Sequence, residues 1–149
     1  MGYTHYWNFR KEIKEIENGD EKFKAAIALF KEGLKQLPDL KLGDGIGKGE
    51  PIINDECLCF NGSAELDEDY ETFHIGLNME IMDLDNFCKT ARQPYDVAVC
   101  LALLCFKKVF GDDFEYRSDG YCPIDRQVLS GEHELEEGWQ KAVDIMKML

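Results

Sequence analysis

Two cations stand out by their surroundings. Lys89 and Arg92 are the only lysine or arginine between Glu50 and Phe106, a span rich in Asp and Glu that includes Glu65, Asp67, Glu68, Asp69, Glu71, Asp83, Asp85 and Asp96. They sit in Phe87-Cys88-Lys89-Thr90-Ala91-Arg92-Gln93-Pro94-Tyr95-Asp96, just before a segment that reads as a helix start. Backbone N–H groups at a helix N-terminus, with cations beside them, attract anions. A phosphate or carboxylate, free or on a nucleotide, is the ligand this pattern predicts. His5 and Trp7, two residues apart on one face of an expected first strand, and Tyr95 are candidates to complete the pocket. In the competing reading, Asp85 and Asp96 pair with the two cations and the cluster is a structural clamp. The sequence leaves both open.

Other patterns carry less. Cys88 beside Lys89 has the look of an activated thiol, but a tyrosine-phosphatase loop places its arginine six positions after the cysteine, and Arg92 is four on. Gly43 to Gly49 contains G-x-G-x-G without the Lys-Ser/Thr ending of a phosphate loop, and reads as a loop. Cys57-x-Cys59 with His74 would need a fourth ligand from Cys122 or His5 to hold zinc. The acidic run Glu65 to Glu71 lacks the spaced oxygens and central glycine of a calcium loop. No metal or cofactor is expected.

The elements that must position these residues follow from periodicity. Tyr3 to Phe9 alternates as a strand. Phe23, Ala26, Ile27, Phe30, Leu34 and Leu37 recur at helical spacing and predict a helix over 20–37. Ile52 to Asn61 and Tyr70 to Met79 predict a β-hairpin, with a turn opening at Asn61-Gly62. Residues 94–110 predict a helix buried on most sides, with Leu104 among its core positions; Pro94 opens it, Asp96 complements its macrodipole and Gly111 stops it. Phe114 to Arg117 reads as a strand, and 132–148 as a final amphipathic helix. The class is α+β, one domain over 1–149. The order β-α-β-β-α-β plus a C-terminal helix suggests a ferredoxin-like antiparallel sheet covered by helices.

The 149 residues are 44% apolar, enough for an ordinary core, and carry a formal net charge of −13. That charge disfavours nucleic acid and anionic lipid, which need clustered Lys and Arg. A basic protein partner suits it better. No apolar run approaches the ~20 residues of a membrane span. Met1 to Trp7 lacks the basic start and apolar run of a secretion signal, so a cytoplasmic setting and six free thiols are expected.

Met1-Gly2-Tyr3-Thr4-His5-Tyr6-Trp7 and the block Phe87 to Arg92 with Pro94-Tyr95-Asp96 resemble a family of uncharacterised small bacterial and phage proteins. Phe60-Asn61-Gly62, Glu71-Thr72-Phe73 and Ser118-Asp119-Gly120 fit the same pattern. The resemblance implies a phage or mobile-element origin and transfers no catalytic residue. Two functions are therefore expected to compete: a small acidic binding or accessory protein, and an enzyme or sensor acting on a small anion at Lys89 and Arg92.

Overall fold

In chain order the elements are β1 (Thr4–Phe9), α1 (Gly19–Leu34), β2 (Leu42–Gly43), β3 (Ile52–Ile53), β4 (Cys57–Gly62), β5 (Phe73–Gly76), β6 (Asn86–Lys89), α2 (Asp96–Phe110), β7 (Phe114–Ser118), α3 (Arg126–Leu129) and α4 (Glu137–Lys147), with 3₁₀ turns at Ile13–Glu15 and Gly111–Asp113. This computed structural model describes residues 2–81 and 83–149; Met1, the first residue of the N-terminal block, lies outside the described residues. The architecture is α+β with antiparallel sheets, as the periodicity predicts.

The helices form where apolar residues recur every three or four positions. Phe23, Ala26, Ile27 and Phe30 make the buried stripe of α1. Its last expected turn is missing: the helix stops at Leu34, and Leu37 is only partly buried. Helix α2 is buried on most sides, from Val97 through Phe106, because it is packed between α1 and α4. Each fully buried Leu, Ile or Phe here contributes roughly 1.5–3 kcal/mol. Leu104 departs from expectation. It packs against the core only half-buried, while Leu101 and Phe106 are fully buried. Gly111, at φ 58°, ends the helix. The C-terminal helix begins at Glu137, five residues later than expected, after the separate turn of helix α3.

The expected single ferredoxin-like sheet divides into two. The first has the order β6-β1-β7, with both outer strands antiparallel to β1. Strands β6 and β7 are therefore parallel to each other and joined across α2, which is half of the split arrangement. The predicted hairpin forms, as β4 against β5, but in a second sheet with β2 and β3. Part of the reason lies at the free edge of β6. Glu71 closes it at Lys89: the Glu71 N–H donates to the Lys89 carbonyl at 3.1 Å, and the Glu71 carboxylate accepts from the Lys89 N–H at 2.8 Å. A hairpin strand cannot then pair there. Asn61-Gly62 does not open a turn but ends β4, where the Asn61 side chain ties Gly45 and Tyr70 to the strand. One hydrophobic core joins the two sheets: Trp7 of β1 lies 4.7 Å from Phe73 of β5, and Phe60 of β4 stacks on Phe30 of α1 at 5.6 Å.

Candidate polar cleft at the start of helix α2

Strand β6 ends at Lys89, and the chain must reverse at once to enter α2. Ala91 and Arg92 do this in the left-handed region, at φ 51° and 59°. Such a conformation costs roughly 1–2 kcal/mol per non-glycine residue. It is held by the Tyr3 carbonyl, which accepts the N–H of Thr90 at 3.0 Å and of Ala91 at 3.3 Å. The turn sets the Arg92 guanidinium 4.1 Å above the Tyr3 ring and 3.0 Å from the Glu136 carboxylate at the start of α4. Between the two helix starts lies a cleft of about 190 Å³, lined among others by Tyr3, Arg92, Asp96, Glu136, Gly138 and Lys141.

Beneath the cleft runs a buried hydrogen-bond chain. Asp96 Oδ1 is 2.6 Å from His5 Nε2 and 2.5 Å from the Thr90 hydroxyl. His5 Nδ1 is 2.8 Å from Ser118 Oγ. Ser118 Oγ also accepts the Gly120 N–H and the Trp139 indole N–H, each at 3.1 Å. A hydroxyl oxygen has two lone pairs, and these two donors fill them. The Ser118 hydrogen therefore points to His5 Nδ1, the ring hydrogen sits on Nε2, and it donates to Asp96. The order matches a serine–histidine–aspartate triad in composition only: the ring is reversed and His5 is fully buried.

His5 Nε2, Asp96 and the Cys100 sulfur are the one set of three donors, among the described residues, close enough to share a metal ion. Cys100 Sγ is 3.8 Å from both His5 Nε2 and Asp96 Oδ2. The hydrogen on Nε2 occupies the lone-pair direction a metal would need. Burial, reinforced by the charge of Asp96, pushes the Cys100 thiol well above its usual range. The set is arranged as a hydrogen-bond node rather than as ligands.

Of the five sequence candidates, Arg92 lines the cleft. His5 lies under it, bonded to Asp96. Lys89 is on strand β6 rather than in a helix-entry loop; its side chain lies over Gly2 and does not line the cleft. Tyr95 is buried, with its hydroxyl donating to the Glu71 carbonyl at 2.6 Å. Trp7 is in the core against Phe73. The competing pairing of the cations with Asp85 and Asp96 does not form: Arg92 takes Glu136, Asp85 takes Arg117 at 3.4 Å, and Asp96 takes His5 and Thr90. Lys89 has no ion pair among the described residues. The helix-end donors are partly spent as well, with Asp96 N–H on the Gln93 carbonyl at 2.8 Å and Ala98 N–H on that of Tyr95 at 2.9 Å.

The remaining motifs are structural. In the glycine-rich loop Asp44 Oδ1 accepts the N–H groups of Ile46 and Lys48 at 3.0 and 3.1 Å, so the loop cradles its own carboxylate and holds it below the usual range. Cys59 pairs with His74 across the hairpin, but Cys122 and His5 lie elsewhere, hydrogen-bonded in their own settings. All six cysteines are free. Burial pushes Cys88 up to about 12, which makes it a poor nucleophile. A larger groove of about 390 Å³ lies beside β7, but its Arg117 is stacked on Tyr6 at 3.9 Å and bonded to Asp85.

Sequence reasoning missed Tyr3, Thr90, Cys100, Ser118 and Glu136 as members of the site, and took Asp96 only as a macrodipole residue and as a possible partner of the two cations. The Ser118-Asp119-Gly120 block was visible, but nothing local ties it to His5. No known family model matches this chain, and no curated protein or solved structure is significantly similar to it. No helix of the described residues is long and apolar enough to cross a membrane.

Proposed function

We propose that the protein is a small acidic binding or accessory protein without catalysis of its own, and that the cleft between the starts of α2 and α4 takes a small polar ligand. One observation carries this reading: a buried hydrogen-bond chain from Trp139 through Ser118 and His5 ends on Asp96, which lines the cleft. Such a chain holds the cleft wall to one geometry before any ligand arrives, which lowers the ordering cost of binding. The lining offers no hydroxyl or thiol except the Tyr3 phenol, and burial, aided by Asp96 and Cys100, pushes that phenol far above its usual range. Nothing in the lining is an activated nucleophile.

The alternative, an enzyme or sensor of phosphate or a nucleotide, keeps Arg92 in its favour. Against it stand the Glu136 pairing and the acidic lining. A phage or mobile-element origin and a cytoplasmic setting rest on the resemblance of the two sequence blocks. The test is a small-fragment screen by protein-observed NMR. Shifts are expected to gather on Tyr3, Arg92, Glu136 and Gly138. Shifts gathering on the groove beside β7, with the cleft silent, would overturn the assignment.

A further inference from the structure

The charges lining the cleft do not cancel. Arg92 pairs with Glu136 at 3.0 Å, and Lys141 pairs with Glu137 at 3.3 Å. Those four sum to zero. The fifth, Asp96, is 7% exposed and has only neutral partners: the imidazole N–H, the Thr90 hydroxyl and the Cys100 thiol. Buried carboxylates are ordinarily paired with a cation, because removing an anion from water costs several kcal/mol when no cation is near.

The two oxygens of Asp96 differ. Oδ1 receives His5 and Thr90. Oδ2 has only the weak thiol contact at 3.8 Å. Residue 138 must be glycine for this oxygen to remain open, since a Cβ there would stand 2.3 Å from Oδ2. One charged acceptor thus lies at a cavity of about 190 Å³, with room for about six waters.

We propose that this cleft binds a small protonated amine, whose ammonium group donates to Asp96 Oδ2. The inference rests on the reading of the cleft as a ligand site and names the class of ligand. A single ammonium supplies the one missing positive charge. It carries N–H donors, which suit a charged oxygen that lacks one. A divalent metal would need the Nε2 lone pair that the Ser118 chain keeps covered by hydrogen. An anion would meet Asp96 and two glutamates.

The experiment titrates the full chain with n-butylamine and putrescine, and with n-butanol and butyrate as uncharged and anionic controls, read by chemical-shift mapping and calorimetry. Amines are expected to shift Tyr3 and Gly138 and to bind about tenfold or more tighter than the alcohol, the size of a charge-assisted hydrogen bond. Asp96→Asn should abolish the preference, while the surface variant Asp55→Asn, which removes the same charge elsewhere, should keep it. If Asp96→Asn fails to fold, the wild-type preference of amine over alcohol at the cleft still decides. Amine shifts confined to surface carboxylates would overturn the proposal. So would a cobalt(II) titration that develops a thiolate charge-transfer band, which would assign the trio to a metal. Butyrate binding at Arg92 without amine binding would overturn the amine and leave the cleft as a ligand site. A cleft silent to these probes and to the fragment screen would remove both.

Discussion

Both ends of helix α2 set side chains into the interior, and they are built on opposite terms. At the C-terminal end Phe106 meets Phe23, Phe110 and Phe114 with ring centroids 5.5 to 5.9 Å apart, and Phe9 closes the cluster. At the N-terminal end Asp96, His5, Thr90 and Ser118 fill a similar depth with hydrogen bonds. The aromatic end depends on volume. The polar end depends on each donor finding its acceptor. The first kind of core tolerates exchange of one apolar residue for another, whereas the second loses a full desolvation penalty for each group left unpaired.

The largest effect expected of this contrast is at Phe106. Phe106→Ala should cost ~3–5 kcal/mol in a chemical-denaturation experiment, whereas Phe106→Leu should cost under ~1.5 kcal/mol. Equal losses for the two would break the volume account. Half-buried Leu104 should lose less than fully buried Leu101 when each is truncated to alanine.

His5→Leu comes next. It preserves bulk but strands the Ser118 hydrogen and leaves Asp96 Oδ1 with the Thr90 hydroxyl alone, and should cost ~1–3 kcal/mol for the unpaired group. A double-mutant cycle with Ser118→Ala should show strong coupling between the two. Additive losses would mean that the chain is not one unit.

A smaller effect is expected at alkaline pH. Burial pushes the Cys105 thiol from 9.0 up to about 12. Below 9 both folded and unfolded thiols keep their proton and stability is flat. Between 9 and about 12 the unfolded chain loses the proton first, so stability falls as pH rises. The loss from this one group should be ~1 kcal/mol at about pH 10, and Cys105→Ala should lessen the slope by that share, leaving the like contributions of buried Cys88 and Cys100. A slope unchanged in the variant would show that this thiol is not the group responsible.

The smallest effect is at Arg92, whose side chain is 60% exposed. Arg92→Ala should change stability by under ~1 kcal/mol, as is usual for an exposed ion pair. Global unfolding of this variant would make Arg92 a structural clamp and would end its role as a wall of the cleft.

Much of the fold was legible. Alternation marked β1 and the β4–β5 hairpin, and apolar spacing marked α1, α2 and α4, because each records a local choice of which face turns inward. Strand β6 was not legible. Four residues, with Phe87 exposed and Cys88 buried, make too short a pattern, and its neighbour is β1, about eighty positions earlier. The divided sheet was hidden for a related reason: Glu71 closes the edge of β6 through one carboxylate and one N–H, and no periodicity announces such a contact. At the site, the charge contrast led to Arg92, which lines the cleft. It led to Lys89, Tyr95 and Trp7 without being able to say which way each side chain turns.

What the sequence determined by itself was therefore the set of elements, the burial of α2 and the presence of a cationic turn before it, all consequences of interactions between residues a few positions apart. Only the tertiary structure decided that Asp96 would meet His5, 91 residues away, and that Ser118, 113 residues from His5, would set the ring's hydrogen. Hydrogen bonds are short-ranged and directional, so their partners are chosen by how the elements pack rather than by spacing along the chain.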